Sequence, residues 1–598
     1  MSKFSFGIDL GTTNSCIAVM QGTTSENRRP TVITLADGRK TLPSCVWYKQ
    51  DGTVVVGREA YNHRYLTDEV VYSSKREIGT DKVYRLHNGK LKVTPVQVAA
   101  EILKKLKQDT EVLYGKGAVD EIVITVPAYF DSNKRRATKQ AAELAGIKVK
   151  AIINEPTSAA LAYTLGTHTD DQFLVYDLGG GTFDVTLMSI THAGNTEFDM
   201  FADMDDTQDT LAQVIASAGD DHLGGDDLDR SLVELALDAL NRELNAKNKV
   251  HNFDVRSQIS KEDLEKMVLF AESFKKNYRE YQGVYEVSVT LGRSTKNYPV
   301  SFNARIMAEA LEPLYQRTLV KIKECLAAKP GTSFKRLILV GGSTKLEMLQ
   351  DRLKQDFPDV EIYCELNPDE AVALGAAVHM DISRGQTDMV VSDVLPRSIG
   401  VDYILAMENM NIPGRFKPVI AKDTVLPAEG KIVLMPTQDG QKEVTAAIYQ
   451  GESNISDQNT YLGSIVIDNA DLGEADKSGI EIKMRIDGDG ILTVSMEAGS
   501  QTKEIQLQSV LNPEVAKNDA EKDPLDKAID SFIQTISYSN MSEDEKDAFI
   551  NQLEASRGDA KAFAAIRTKV RRRANENRTS IFTTSSTVTE EGAEGDED

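Results

Sequence analysis

The sequence predicts a multidomain chain: an internally duplicated α/β region, then a compact antiparallel β-sandwich, then a short α-helical region. Three observations carry this reading. Strand-length apolar runs alternate with longer helical patterns over residues 1–385, strict two-residue alternation takes over after about residue 397, and apolar spacings of three and four return over 522–577. At ~150 residues per folding unit, the 598-residue chain implies roughly four units.

In the first region the run Glu121-Ile-Val-Ile-Thr-Val-Pro127 reads as a strand and 132–145 as the helix after it. The unit Phe6-Gly-Ile-Asp-Leu-Gly-Thr-Thr13 returns as Leu174-Val-Tyr-Asp-Leu-Gly-Gly-Gly-Thr182, which is the sign of a duplication. In the second region Ile480, Ile482, Met484 and Ile486 alternate with Glu481, Lys483 and Arg485. Asp487-Gly-Asp-Gly490 then turns the chain, and Leu492, Val494 and Met496 alternate again, so a hairpin with one buried face is predicted. Runs at 431–436, 443–449, 462–467 and 503–509 extend it into a sandwich. Leu525, Ile529, Phe532, Ile533 and Ile536 predict helix, whereas the tail from about 581 is too polar to offset chain entropy and is expected to be disordered.

Apolar residues form 41% of the chain and charged residues 27%, as in ordinary globular proteins. A net charge of −23 repels phosphate backbones and anionic lipid surfaces, so neither nucleic acid nor membrane is an expected partner. The longest apolar stretches are of strand length and the first residues lack the apolar core of a signal peptide, so a cytoplasmic location is expected. Cys16, Cys45, Cys325 and Cys364 are scattered, with no zinc-ligand spacing, and read as structural thiols.

The two repeats each deliver an aspartate, Asp9 or Asp177, into a glycine-rich turn. Backbone N–H groups of such turns approach a phosphate closely, and the hydroxyls of Thr12, Thr13 and Thr182 add donors. Carboxylates beside phosphate repel it unless a cation intervenes, so Mg²⁺ is implied, held directly or through water. A single Asp-x-Gly turn would as readily just end a strand. Two copies, with Val340-Gly-Gly-Ser-Thr344 after a third β-rich run, favour a phosphate clamp closing from two sides. The G-x-x-x-x-G-K-[ST] phosphate loop is absent.

These residues carry a family resemblance. Gly7-Ile-Asp-Leu-Gly-Thr-Thr-Asn-Ser15, Val126-Pro-Ala-Tyr-Phe130, Ile153-Asn-Glu-Pro-Thr157, Asp177-Leu-Gly-Gly-Gly-Thr-Phe-Asp184, His222-Leu-Gly-Gly225 and Asn367-Pro-Asp-Glu-Ala371 resemble the DnaK-type 70-kilodalton heat-shock chaperones in order and spacing over nearly the whole chain. The resemblance implies an actin-like, ribonuclease H-like duplicated ATPase domain binding ATP or ADP with Mg²⁺ and K⁺ between its lobes. By it, Lys75 is the catalytic lysine, Glu155 its partner acid, and Thr182 positions the γ-phosphate. Asp9, Asp177 and Asp184 form the cation shell, with Asp9 and Asp177 also counted as catalytic. Gly11, Thr12, Thr13, Asn14, Gly179, Gly180, Gly181, Gly341, Gly342 and Ser343 cradle the nucleotide; Glu272, Lys275, Lys276, Lys345 and Asp369 lie on its adenosine side. Lys276 and Lys345 stand where the family commonly has arginine, whose planar guanidinium can stack on a purine as an ammonium cannot.

The resemblance further divides the chain into the ATPase domain 1–385, an interdomain linker 386–396, a peptide-binding sandwich 397–510, a short helical lid 511–580 and an acidic tail 581–598. Pro127, Arg135, Asp393 and Asp489 match positions that couple the domains. Val444 aligns with the pocket for one client side chain, with Ile404, Leu434, Thr437 and Ile448 near it. Implied partners are unfolded or extended polypeptides, a J-domain co-chaperone and a nucleotide exchange factor. The short lid, an acidic insertion near 200–213 and an ending without Glu-Glu-Val-Asp point to a specialised bacterial member. Two other readings share the phosphate site: a small-molecule kinase, which has no use for 397–510, and a non-hydrolysing regulator, against which the intact Asp9, Lys75, Glu155, Asp177 and Thr182 speak.

Overall fold

The computed structural model describes residues 4–22, 27–64, 66–165, 170–192, 210–248, 254–280, 282–291, 294–364, 367–387, 389–407, 410–436, 439–468, 470, 472–474, 478–506, 543–556 and 566. Residue contacts group the chain into two units, one made of 1–401, 418–453 and 458–510, the other of 402–417, 454–457 and 511–598.

Two mixed sheets organise the N-terminal part of the first unit. In one, strand Phe6–Asp9 pairs parallel with Glu121–Val126 and antiparallel with Asn14–Gln21. In the other, Asp171–Leu178 pairs parallel with Arg336–Val340 and antiparallel with Phe183–His192. The repeat read in the sequence is thus a repeat of topology: a central strand, a hairpin on one side and a parallel neighbour on the other. Parallel pairing requires both faces to be covered, and these strands are accordingly near-continuous apolar runs. Helices Glu155–Thr164 and Ala371–Ile382 pack together between the sheets, where the Ser158 hydroxyl donates to the Val372 carbonyl at 2.7 Å. Their alanine-rich faces allow this close approach, and small side chains from both sheets, Ala18 and Ala212 among them, join the same cluster. A larger core behind the second sheet gathers Tyr176, Phe183, Leu237, Met307 and Tyr315.

Local signals start the helices. Thr94 and Gln97 form a reciprocal capping box before Pro95–Tyr114, and Asp131, Ser260 and Asn303 accept backbone N–H groups at the starts of Ser132–Leu144, Lys261–Asn277 and Ala304–Ala327.

The hairpin read from two-residue alternation forms as predicted: Ile480–Ile486 pairs with Leu492–Ala498, Met484 facing Val494. Ala428–Leu434 and Gln501–Gln506 flank it. Val444–Gln450 pairs with Thr460–Ile467 and, through Ile448 to Gln450, with Ile399–Val401 in a separate antiparallel sheet. Both sheets turn apolar residues into one core, with Val401, Ile448 and Ile465 from the second and Ile482, Met484 and Val494 from the first.

The strip Met389–Ser392, read as part of a linker, is the outer strand of the second mixed sheet, parallel to Thr210–Gln213. Residues 193–209, and so most of the acidic insertion, lie outside the described residues. In the second unit Arg415 bridges to Ile455, and the Ser456 hydroxyl donates to Asp402 at 2.6 Å. Of the predicted helical region only residues 543–556, with the helix Glu543–Ala555, and Ile566 are described, with Leu553 buried; the apolar positions Leu525 to Ile536 and the tail lie outside.

Gly375 sits at the crossing of the two central helices, where an added Cβ would collide with the Ser158 carbonyl. Backbone atoms cannot swing away as a side-chain end can. Gly375→Ala is therefore expected to cost about 1–3 kcal/mol, read as a lower thermal unfolding midpoint.

Candidate nucleotide site

Three strands end at one place. Phe6–Asp9 runs into the turn Gly11-Thr12-Thr13-Asn14, Asp171–Leu178 into Gly179-Gly-Gly-Thr182, and Arg336–Val340 into Gly341-Gly342-Ser343. Each turn is braced by the elements around it. The Ser343 hydroxyl donates to the Gly179 carbonyl at 2.8 Å, Ser44 to the Gly11 carbonyl at 2.7 Å, and the Asp226 N–H to the Gly180 carbonyl at 2.9 Å. Gly341 has φ of +82°, and a side chain there would meet the Leu178 carbonyl, so only glycine lets this turn lie against the neighbouring strand tip.

The turns surround a cavity of about 560 Å³ lined by Asp9, Gly11, Thr12, Thr13, Asn14, Glu155, Asp177, Gly179, Gly180 and Thr182 on its phosphate side. Glu272, Lys275, Lys276, Gly341, Gly342, Ser343, Lys345 and Asp369 line the other side. Of the predicted residues, Lys75, Gly181 and Asp184 stand behind this lining: Lys75 hydrogen-bonds Glu155, and Asp184 pairs across the hairpin with Asp177 and accepts the Tyr129 N–H at 3.3 Å. Lys75 is held by a short 3₁₀ turn, Ser74–Glu77, whose preceding Ser73 is in the left-handed region at φ 50°.

The electrostatics are one-sided. Glu155, Asp177 and Asp184 are buried and Asp9 is partly buried, and Lys75 is the buried ammonium among them. Burial first, then the Glu155 charge, raises Asp9 to about 7 and Asp184 to about 8, and the same causes push Asp177 well above the usual carboxylate range. Such a group of carboxylates calls for a cation. Among the described residues no three His, Cys, Asp or Glu side chains gather closely enough to ligate a metal by themselves. The donor set therefore fits a hydrated divalent ion that takes its remaining ligands from phosphate. The Thr13 hydroxyl is buried at the cavity with no hydrogen-bond partner, which fits a phosphate oxygen.

On the opposite side Lys275 bonds Asp229 at 2.8 Å and the Gly225 carbonyl at 2.9 Å, Lys276 pairs with Glu272 at 2.7 Å, and Lys345 with Asp369 at 2.5 Å. Glu272 also accepts from Arg64 at 2.6 Å and the Tyr61 hydroxyl at 2.8 Å. Arg76 bonds Asp227 at 3.0 Å and the Gly180 carbonyl at 3.2 Å, and Ser73 bonds Asp226 at 3.1 Å. Sequence reasoning missed Arg64, Arg76, Asp226, Asp227 and Asp229. For Arg76 and the aspartates a signal existed, since they adjoin Lys75 and the His222-Leu-Gly-Gly225 motif.

The predicted coupling residues converge beside this site. Arg135 donates to the Asn154 side chain at 2.5 Å, to the Phe130 carbonyl at 3.1 Å and to the Asp489 carbonyl at 3.4 Å. Asn154 in turn donates to Asp393 at 2.7 Å, and the Asp489 carboxylate accepts the Ile152 N–H at 2.8 Å. The Pro127 carbonyl closes the turn by accepting the Phe130 N–H at 3.1 Å. Asn154 immediately precedes Glu155, so one peptide link joins this cluster to the cavity. Of the predicted peptide-pocket residues, Val444 and Ile448 are buried in the two-sheet core with Leu434 packed against it. Ile404, in the second unit, is half-buried, and Thr437 lies outside the described residues.

Opposed acidic strand tips and glycine turns around one cavity define a protein that binds and hydrolyses a nucleoside triphosphate. Comparison with protein families matches residues 5–595 to the family described as Hsp70 protein. The Chaperone protein DnaK of Thermotoga neapolitana is 36% identical over 521 residues, covering 84% of this chain and 79% of its own. That of Thermosipho melanesiensis is 34% identical over 509 residues, covering 82% and 78%. The chain belongs to the Hsp70 family. It is an ATP-hydrolysing chaperone that binds and releases polypeptide, and it uses Mg²⁺ with its nucleotide. No described helix is long and apolar enough to cross a membrane.

Lys134 on the helix after the Pro127 turn bonds Asp221 at 2.8 Å, beyond the strand Thr210–Asp220. Burial alone would raise the Asp221 carboxyl, but Lys134 and His222 outweigh it and hold the group at about 2, below its ordinary 3.8. The pair's stabilisation is complete above that ordinary value and is lost as pH falls through about 2. Asp221→Asn is expected to flatten that part of the acid-unfolding profile relative to the parent chain.

Proposed function

We propose that nucleotide state in this cavity governs the grip of an antiparallel sandwich on extended polypeptide through the cluster around Asn154. The observation that carries the proposal is the Lys75–Glu155 pair at the cavity, one residue from the Asn154 amide that bonds both Arg135 and Asp393. In this reading residues 1–385 are an actin-like ATPase domain, 386–396 a linker, 397–510 the peptide-binding sandwich, 511–580 a short lid and 581–598 a tail. Mg²⁺, within reach of Asp9, Asp177 and Asp184, supplies charge neutralisation of the phosphates, and K⁺ adds to it.

Lys75 orients a water whose oxygen attacks the γ-phosphorus as the bond to the β-γ bridging oxygen breaks, leaving ADP and phosphate. Its charge also offsets the charge growing on the transferred group, the requirement of phosphoryl transfer to water. Glu155 holds the ammonium in place, Thr182 positions the γ-phosphate, and the turns at Gly11–Asn14, Gly179–Gly181 and Gly341–Ser343 present backbone donors. Glu272, Lys275, Lys276, Lys345 and Asp369 hold the adenosine side. Val444, Ile448, Leu434, Ile404 and Thr437 receive a client side chain, with main-chain hydrogen bonds to the extended peptide. A J-domain co-chaperone and an exchange factor serve the cycle, and the protein acts in the cytoplasm.

Lys75→Ala is expected to lower single-turnover ATP hydrolysis ~10²-fold while nucleotide still binds. An unchanged rate removes Lys75 from the chemistry. Arg135→Ala should leave ATP affinity within about twofold but abolish stimulation of hydrolysis by an unfolded peptide, because coupling of ~1–3 kcal/mol is carried by the contacts it removes. Stimulation equal to that of the parent chain contradicts the proposed route.

A further inference from the structure

We propose that Arg76 is a positioning residue for phosphoryl transfer: by holding the Gly180 carbonyl it fixes the peptide unit that offers the Gly181 N–H to the terminal phosphates. The inference rests on the reading of Gly179–Gly181 as a phosphate turn. It starts from the freedom of that turn. With glycine on both sides, the peptide unit between residues 180 and 181 rotates at little steric cost. In a trans peptide the carbonyl and the N–H point in opposite directions, so such a rotation exchanges a donor for an acceptor on a given side. A donor there binds phosphate, whereas an acceptor repels it.

Two donors hold the carbonyl. The Asp226 N–H reaches it at 2.9 Å from the first turn of helix Gly225–Asn248, and Arg76 Nη2 reaches it at 3.2 Å from the 3₁₀ turn Ser74–Glu77 that also carries Lys75. Among the described residues none accepts the Gly181 N–H, which lies between Gly180 and Thr182, two residues that line the cavity. With the carbonyl occupied, that N–H is the end of the unit left for a ligand. The Gly179 N–H closes the turn on the Thr182 carbonyl at 3.1 Å, so the ends of the turn stay fixed while the unit between them is set.

Arg76 is seated for this contact. Its Nη2 also bonds Asp227 at 3.0 Å, and Asp227 accepts the Gly224 N–H at 2.8 Å, so the guanidinium is anchored to the segment that enters the helix. A Cβ added to Gly181 would stand 2.6 Å from Arg76 Nε and 2.8 Å from Thr12 Cγ2. Gly181 is not in the left-handed region, so glycine is needed here for the close approach of Arg76 and Thr12 and not for a backbone angle. As an ion pair, Arg76 with Asp227 is partly exposed and of small worth. Its charge-assisted hydrogen bond to a carbonyl in a glycine turn does more, because it selects one of two peptide orientations. Since Arg76 follows Lys75 directly, one short turn sets both the lysine and the phosphate donor.

The test is equilibrium binding to the full chain of adenosine and, separately, of Mg-ADP with beryllium fluoride in the γ-phosphate position, together with single-turnover ATP hydrolysis. Arg76→Ala should weaken the beryllium fluoride complex and slow turnover by about 5–30-fold, the order of one hydrogen bond. Adenosine, which carries no phosphate, should bind as it does to the parent chain, which also shows that the cavity remains folded. Arg76→Lys keeps one donor for the Gly180 carbonyl and should recover most of both losses. An equal loss of adenosine and of the beryllium fluoride complex means that Arg76 only holds the two sides of the cavity together, and overturns the proposal. Unchanged turnover in Arg76→Ala, or no recovery in Arg76→Lys, overturns it as well. If the parent chain binds the beryllium fluoride complex no more tightly than adenosine, the phosphate-turn reading itself fails and this inference with it.

Discussion

The buried acidity of the cavity is the constraint on which the rest of the structure depends. Glu155, Asp177 and Asp184, with Asp9 partly so, are withdrawn from water around the Lys75 ammonium. Groups so placed are costly unless charge of the opposite sign arrives, and the architecture is arranged to keep them in place until it does. The central strands hold Asp9 opposite Cys16 and Asp177 between Asp184 and Val340, the Thr125 hydroxyl steadies Asp9 at 3.2 Å, and the Tyr129 N–H steadies Asp184. Binding of a magnesium-carrying nucleotide therefore stabilises the fold that prepared the site, as any ligand specific for the native state does.

The proposed coupling needs a stiff connection between the cavity and more distant segments, and the backbone provides one. Asn154 ends a strand, Glu155 begins a helix, and no loop separates them. In the proposed coupling, a displacement of Glu155 passes to Asn154 through one peptide link. The Asn154 side chain bonds Arg135 and Asp393 together, and Arg135 also bonds the Asp489 carbonyl. The Leu492 N–H donates to Ser132 at 3.1 Å and adds a second tie to the same helix. Packed elements of this kind move between discrete arrangements instead of deforming gradually.

Much of this was legible in the residues, and the parts that were not share a cause. The hairpin at 480–498 follows from a two-residue period and a glycine turn, both local signals. The glycine turns declared phosphate chemistry because they occurred more than once. By contrast Arg64 matters only through the Glu272 that another helix brings against it, and nothing in its immediate neighbours marks it. Met389–Ser392 shows a different limit. Its apolar content suits a docking tether and an outer sheet strand equally, since four residues are too few for periodicity to decide. Val444 and Ile448 face the core of the two sheets, where a client pocket and ordinary packing call for the same side chains.

That outer strand has a further consequence. It pairs through only four residues, and Val390 and Leu211 remain partly open to solvent along it. Any state in which the strip leaves uncovers a row of amide and carbonyl groups on Thr210–Gln213, an open template for foreign strands. A molecule that handles unfolded chains can least tolerate such a template, so the strip doubles as a guard of its host's own sheet.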